Sequence, residues 1–202
     1  MIALVSYGLG NIQAFANIYK SLNLPVIIAT QPEHLQSADR FILPGVGSFD
    51  WAMTQLNASG LREPLEELVI GKGRPVLGVC VGMQMLATRS DEGVCPGLGW
   101  IEGDVRRMET DGAHKTWLPH MGWNDAAPRG ESPLFGGMDD PRFYFLHSYY
   151  FAPRDGGCVL SDTRYGSTFA SSVRKGNIYG TQFHPEKSHR WGVQLLKNFA
   201  AI

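Results

Sequence analysis

Over its first 90 residues the chain alternates short apolar runs with stretches of helical periodicity, and this alternation constrains the fold more than any other feature. Residues 2–5 form one apolar run, after which Ile12, Phe15, Tyr19 and Leu22 recur at the spacing of one helix face. Further runs at 25–29 and 41–43 predict strands, the latter stopped by Pro44-Gly45-Val46-Gly47. Ser48 is placed to cap a helix beginning near Phe49, and 61–69 carries a second helical pattern. Residues 75–79 have few polar groups and predict a strand buried on both faces, running straight into a helix at 80–86. Strands and helices taking turns in this way form βαβ units, and therefore a mainly parallel sheet covered by helices.

The second half changes character. Segments 100–108, 142–151, 158–163, 169–174 and 177–183 read as strands with short turns, so an antiparallel region is expected there. Lys175-Gly176 predicts a hairpin between the last two, and 194–201 a closing helix. Residues 109–113 and 125–132 read as exposed loops. No repeat or linker interrupts the chain, and 202 residues at about 150 per domain favour one domain over 1–202.

Composition removes several classes. A net charge of −1 leaves no basic footprint for nucleic acid or acidic membranes. The N-terminus lacks the charged and apolar regions of a signal peptide, and no stretch approaches a membrane span. Cys80, Cys95 and Cys158 are odd in number and lack metal-ligand spacing, so neither a disulfide framework nor a metal site is indicated and a cytoplasmic setting is expected. The unusual count is glycine: 24, against about 14 at typical usage.

Part of that surplus frames one cysteine. Gly78-Val79-Cys80-Val81-Gly82 places a nucleophile between glycines at a strand-to-helix junction. A sharp turn there lifts the side chain above the sheet edge, and flanking glycines remove the Cβ atoms that would clash with it. The helix start favours thiolate, and the amide of Val81 is placed to meet a developing oxyanion. Cys95 and Cys158 lack this setting and read as small core residues.

A thiol nucleophile in acyl transfer needs an imidazole to move its proton and a third group to orient the ring. Of six histidines, His184 stands out, at a strand end in Gly180-Thr181-Gln182-Phe183-His184-Pro185-Glu186. Pro185 keeps His184 out of helical geometry, and a spacing of two in extended chain puts His184 and Glu186 on one side. A rival reading, a dinucleotide site on Gly8-Leu9-Gly10, fails because Gln13 stands where the fingerprint needs its third glycine.

Gly-Val-Cys-Val-Gly-Met-Gln and Gln-Phe-His-Pro-Glu-Lys-Ser together resemble the Cys-His-Glu glutamine amidotransferases. Residues 7–11, 119–124 and 143–149 narrow the resemblance to the glutaminase subunits of imidazole glycerol phosphate synthases, and it extends over essentially the whole chain. It implies a three-layer α/β/α sandwich, glutamine as substrate, and no cofactor or metal. Carried onto this sequence, Cys80 is the nucleophile, His184 the acid and base, and Glu186 its orienter. The amides of Val81 and Val46 hold the oxyanion, while Gly47, Gln84, Glu92, Ser148 and Tyr149 hold or shape the amino-acid end of the substrate. Val81 and Thr181 replace residues commoner in the family, and Asp91-Glu92 varies a usually more acidic stretch; the first two act through backbone or packing.

The resemblance also implies a partner. Ammonia released to water is protonated and lost as a nucleophile, so such glutaminases pass it to a synthase. Here that is a cyclase with a (βα)8 barrel, which needs about 250 residues of its own and must be a separate chain in a heterodimer. The segment Pro119, His120, Met121, Gly122, Trp123 and Asn124, read as a loop rich in aromatic and Met residues, is expected to face it, with Tyr7, Asn11 and the loop around Ser48 alongside. The alternative is a paralogous glutaminase feeding a different synthase, for instance in modified-sugar biosynthesis.

Overall fold

In a computed structural model, which describes residues 1–109 and 116–202, the first half runs as the alternation requires. The elements are β1 (Ile2–Val5), α1 (Ile12–Ser21), β2 (Val26–Ala29), α2 (Pro32–Gln36), β3 (Arg40–Gly45), α3 (Phe49–Ala58), α4 (Arg62–Glu66), β4 (Val76–Cys80) and α5 (Val81–Gln84). The second half contributes β5 (Arg89–Ser90), β6 (Gly103–Arg107), β7 (His120–Asp125), β8 (Ala127–Pro128), β9 (Arg142–His147) and β10 (Tyr149–Pro153). It ends with β11 (Val159–Tyr165), β12 (Ser167–Lys175), β13 (Ile178–Thr181) and α6 (His189–Ala201).

The central sheet has eight strands in the order β2-β1-β3-β4-β13-β12-β11-β8. From β2 to β13 the pairs are parallel; from β13 to β8 they are antiparallel. The chain moves one way from β1 to β2 and the other way to β3 and β4, so right-handed crossovers place α1 on one face and α2 to α4 on the other. Accordingly α1 packs with α6, and α2 with α4. This is the expected three-layer, mainly parallel sandwich with an antiparallel region. Among the described residues no helix is long and apolar enough to cross a membrane.

Register positions the site. Gly45 at the end of β3 pairs with Cys80 at the end of β4, and Val79 pairs with Thr181 at the end of β13. Three carboxyl ends therefore deliver Val46-Gly47, Cys80 and the 182–186 segment to one edge, where ligands of open α/β sheets bind.

Several expectations need correction. Residues 120–125 form a strand paired antiparallel with β9, not a loop. The single strand expected over 142–151 breaks at Ser148: β9 pairs with β7, whereas β10 pairs with β6. Within the expected loop 125–132, Ala127 and Pro128 add a short strand against β11. The helix after Cys80 is four residues long, α2 was not foreseen, 61–69 divides into α4 and a wider π-type turn at Glu67–Gly71, and α6 begins five residues early. Most of the loop expected at 109–113, and His114, lie outside the described residues.

Candidate active site

Cys80 ends β4 with φ 56° and ψ −115°, a conformation that non-glycine residues adopt at a cost of about 1–3 kcal/mol. The flanking glycines permit it. A Cβ on Gly78 would lie 2.6 Å from the Gly82 carbonyl oxygen, and one on Gly82 would lie 1.9 Å from the Leu43 carbonyl oxygen. The turn therefore folds tightly against β3, as the steric reading of Gly78-x-Cys80-x-Gly82 requires. With only four residues in α5, its first amides can be aimed but a long macrodipole is missing, so the side chains around the sulfur carry more of the electrostatics.

His184 follows β13 in extended conformation, φ −100° and ψ 93°. Its backbone N–H donates to the Tyr144 carbonyl at 2.9 Å, and its own carbonyl accepts from the Ser188 hydroxyl at 2.6 Å. With the backbone clamped, Nδ1 donates to Glu186 Oε1 at 2.9 Å, and the ring lines the same cleft as Cys80. Glu186 arrives through a short 3-10 turn at Pro185–Lys187, so the spacing of two works, though not through the extended geometry expected. Its second carboxylate oxygen is buried without a hydrogen-bond partner among the described residues. Burial works against charge on His184, but hydrogen bonds and opposite charge from Cys80 and Glu186 outweigh it and raise its pKa. The arrangement favours the imidazolium form of His184.

A cleft of ≈ 290 Å³ opens above these groups. Val46, Gly47, Cys80, Val81, Gln84, Glu92, Ser148, Tyr149 and His184 line it together. All five residues expected at the substrate's amino-acid end and both expected to hold the oxyanion thus share one cleft with Cys80 and His184. Glu92 also caps a helix. Its carboxylate accepts the Phe49 backbone N–H at 2.8 Å, doing for α3 what Ser48, which makes no side-chain cap bond, was expected to do. The Asp50 carboxylate in turn accepts from Val94 at 2.9 Å and Cys95 at 3.0 Å. The loop carrying Glu92 is thereby pinned to the first turn of α3.

Residues expected at a partner surface divide. Met121, at 65% exposure, and Trp123, at 43%, stand on the outer face of β7, with Leu146 and Tyr144 opposite them on β9. Trp123 stacks on His189, with ring centroids 5.4 Å apart, and Lys187 lies over the Tyr144 ring. Pro119 is exposed and also lines the cleft; Asn11 is exposed and caps α1. Gly122 and Asn124 are half-buried.

Two positions depart from the surface expectation. Tyr7 is buried, its hydroxyl donating to the Pro44 carbonyl at 2.6 Å, so it braces the loop before Val46. His120 is buried too, stacked between Phe145 and Tyr165, because alternate residues of a strand face opposite ways.

The sequence reading missed Gln182, His147, Leu146 and Lys187. Gln182 was findable: it lies two residues before His184 and so shares its parity in the segment that follows β13. Phe183, of opposite parity, stacks on Phe143 with centroids 3.8 Å apart.

The class-I glutamine amidotransferase family model matches residues 4–202. A protein of Bdellovibrio bacteriovorus named imidazole glycerol phosphate synthase subunit HisH is 55% identical over 204 residues, covering 100% of both chains. One of the same name in Leptospira interrogans is 47% identical, again over 100% of each. Among solved structures, a protein of Thermoplasma acidophilum described as a GMP synthase subunit has a TM-score of 0.74 at 19% identity, covering 99% of this chain and 92% of its own. PurLQS of Thermotoga maritima aligns with a TM-score of 0.72 at 14% identity, covering 98% and 95%. At such identities these two structures speak to the fold alone.

Proposed function

Given that the chain belongs to the class-I glutamine amidotransferases, and among them to the HisH subunits of imidazole glycerol phosphate synthase, we propose that it hydrolyses glutamine through a Cys80 thioester and delivers the ammonia to a cyclase subunit. The Cys80 sulfur attacks the side-chain carbonyl carbon of glutamine, and the resulting oxyanion is held by the amides of Val81 and Val46. His184 gives its Nε2 proton to the leaving nitrogen, the carbon–nitrogen bond breaks, and ammonia departs. His184 then takes a proton from water, which attacks the thioester carbon and releases glutamate and the Cys80 thiolate. Glu186 keeps Nδ1 protonated throughout, so that Nε2 does this work. Gln84, Glu92, Gly47, Ser148 and Tyr149 hold the amino-acid end, with Glu92 the carboxylate for the substrate's ammonium.

The carrying observation is a buried, hydrogen-bonded His184–Glu186 pair beside Cys80, at a cleft that also holds a carboxylate and amide donors. The single domain spans 1–202. In the cytoplasm it pairs one-to-one with a (βα)8-barrel cyclase through the outer face of β7 and β9, where Met121 and Trp123 are exposed, together with Pro119, Asn11 and the 46–48 loop. The cyclase makes imidazole glycerol phosphate and aminoimidazole carboxamide ribotide, and its loaded state stimulates glutamine hydrolysis strongly over a weak basal rate.

The test mixes the chain with a candidate cyclase and its phosphoribulosyl substrate. Imidazole glycerol phosphate forms from glutamine with the native chain. With Cys80→Ser it forms only from added ammonia. Glutamine-dependent product with Cys80→Ser overturns the thioester; full glutamate turnover without cyclase overturns the coupling.

A further inference from the structure

We infer that Gln182 is a positioning residue for the nucleophile: its side-chain amide donates to the Cys80 sulfur and holds it in line with His184. This inference rests on the reading of Cys80 as nucleophile. Gln182 is fully buried, and its Nε2 lies 3.8 Å from Cys80 Sγ. A glutamine amide can be turned either way, so the assignment depends on what fixes it. Here the neighbours decide. The Tyr149 carbonyl can only accept, and Gln84 Nε2 lies 3.0 Å from it, so Gln84 presents its NH2 group inward. The second hydrogen of that group points at Gln182, 3.0 Å away, which must answer with its oxygen. The NH2 end of Gln182 is then the end that faces the sulfur.

The Tyr149 carbonyl is itself held, accepting from His147 Nδ1 at 2.8 Å as well as from Gln84. Both its lone-pair directions are engaged, so no hydrogen bond in the chain from Tyr149 to Cys80 is free to reverse. The sulfur's other backbone neighbour is the Leu146 carbonyl at 3.9 Å, an acceptor, which suits a thiol and not a thiolate. Gln182 supplies the opposite: an N–H that favours the charged sulfur and directs its remaining lone pairs toward the cleft and His184.

Because thiolate content sets alkylation rate, the test is the pH profile of Cys80 labelling by iodoacetamide in the full chain, located by peptide mass so that Cys95 and Cys158 do not interfere. The titratable groups around the sulfur are His184 with Glu186, His147, Tyr7, and at the cleft Glu92 and Lys187, all retained in the variants. Gln182→Met keeps length and removes the donor. Its labelling midpoint moves up by about one pH unit, and kcat for glutamine falls about tenfold while KM stays within about threefold.

Gln182→Glu, which still accepts from Gln84, guards against misfolding of the first variant and shifts the midpoint the same way. Superimposable profiles for native and folded variant chains overturn the positioning role. The nucleophile reading fails separately, if Cys80→Ser still hydrolyses glutamine.

Discussion

Acidification should destabilise this protein through two histidines that take no part in the proposed chemistry. His120 and His147 are buried side by side, with His120 Nδ1 3.0 Å from His147 Nε2. The Tyr149 carbonyl, 2.8 Å from His147 Nδ1, can only accept, so His147 carries its proton there and accepts at Nε2. His120 therefore donates from Nδ1, and its own Nε2 accepts from Asn124 Nδ2 at 3.2 Å. A further proton on His147 sets two donors face to face; one on His120 confronts the Asn124 amide.

Burial pushes His120 down to about 4 and His147 down to about 3. The neighbouring His120 and His184 rings lower His147 further, against the pull of the Tyr149 carbonyl. Unfolded, both titrate near 6.5. Between that value and about 4, the unfolded chain binds protons that the folded chain refuses, so stability falls as pH falls. At pH 5, about 1.5 units below the unfolded value, each ring costs about 2 kcal/mol, and the pair about 4 kcal/mol, against nearly nothing at pH 7.5. His184 has the opposite sign: its raised folded value contributes stability that is fully present below the unfolded value and lost as pH rises through the folded one.

Comparison with a variant that keeps His184 and every carboxylate cancels those contributions. In His120→Phe with His147→Gln, the phenyl ring retains the stacking and the glutamine retains a donor for Tyr149. Urea unfolding at pH 7.5 and 5.0 should show the native chain losing about 4 kcal/mol relative to the variant, about 2 M in midpoint at a slope of about 2 kcal/mol per M. A relative change below about 1 kcal/mol would refute the forced-tautomer argument.

Two further substitutions probe the scaffold of the cleft. Gly82→Ala puts a methyl 1.9 Å from the Leu43 carbonyl oxygen, so the turn must open and Cys80 must move; glutamine hydrolysis should drop on the order of 100-fold, and a loss under threefold would show that the close approach is dispensable. Asp50→Ala releases the Val94 and Cys95 amides and loosens the loop that aims Glu92; KM for glutamine should rise about tenfold with kcat nearly unchanged, whereas an unaltered KM in steady-state kinetics would detach Asp50 from substrate binding.

The elbow and the proposed triad were legible because their requirements are local. A strained nucleophile needs glycine at fixed offsets, and His184 and Glu186 are two residues apart, so two short segments carry the whole demand. Glu92 was legible only through resemblance. Its hydrogen bond to Phe49 spans 43 residues, and no pattern within a single segment shows which carboxylate will reach across. The strand break at Ser148 was hidden for a related reason. Its neighbours on both sides favour strand, and only the choice of partners, β7 before it and β6 after it, ends one strand there and starts another.

The segment 120–125 failed in a more informative way. A half-buried strand normally alternates apolar residues inward with polar residues outward. Here the order is inverted: His120 points in, while Met121 and Trp123 point out. Read for a core, that pattern predicts no strand at all. It becomes consistent once both faces have other obligations: the inner polar groups hydrogen-bond to one another and on to Tyr149, and the outer apolar ones suit the proposed partner surface. An inverted strand is costly to an isolated chain, because it exposes apolar area and leaves buried polar groups that must be satisfied one by one. The same inversion that defeated the strand prediction is therefore a reason, independent of any relative, to place the partner on β7.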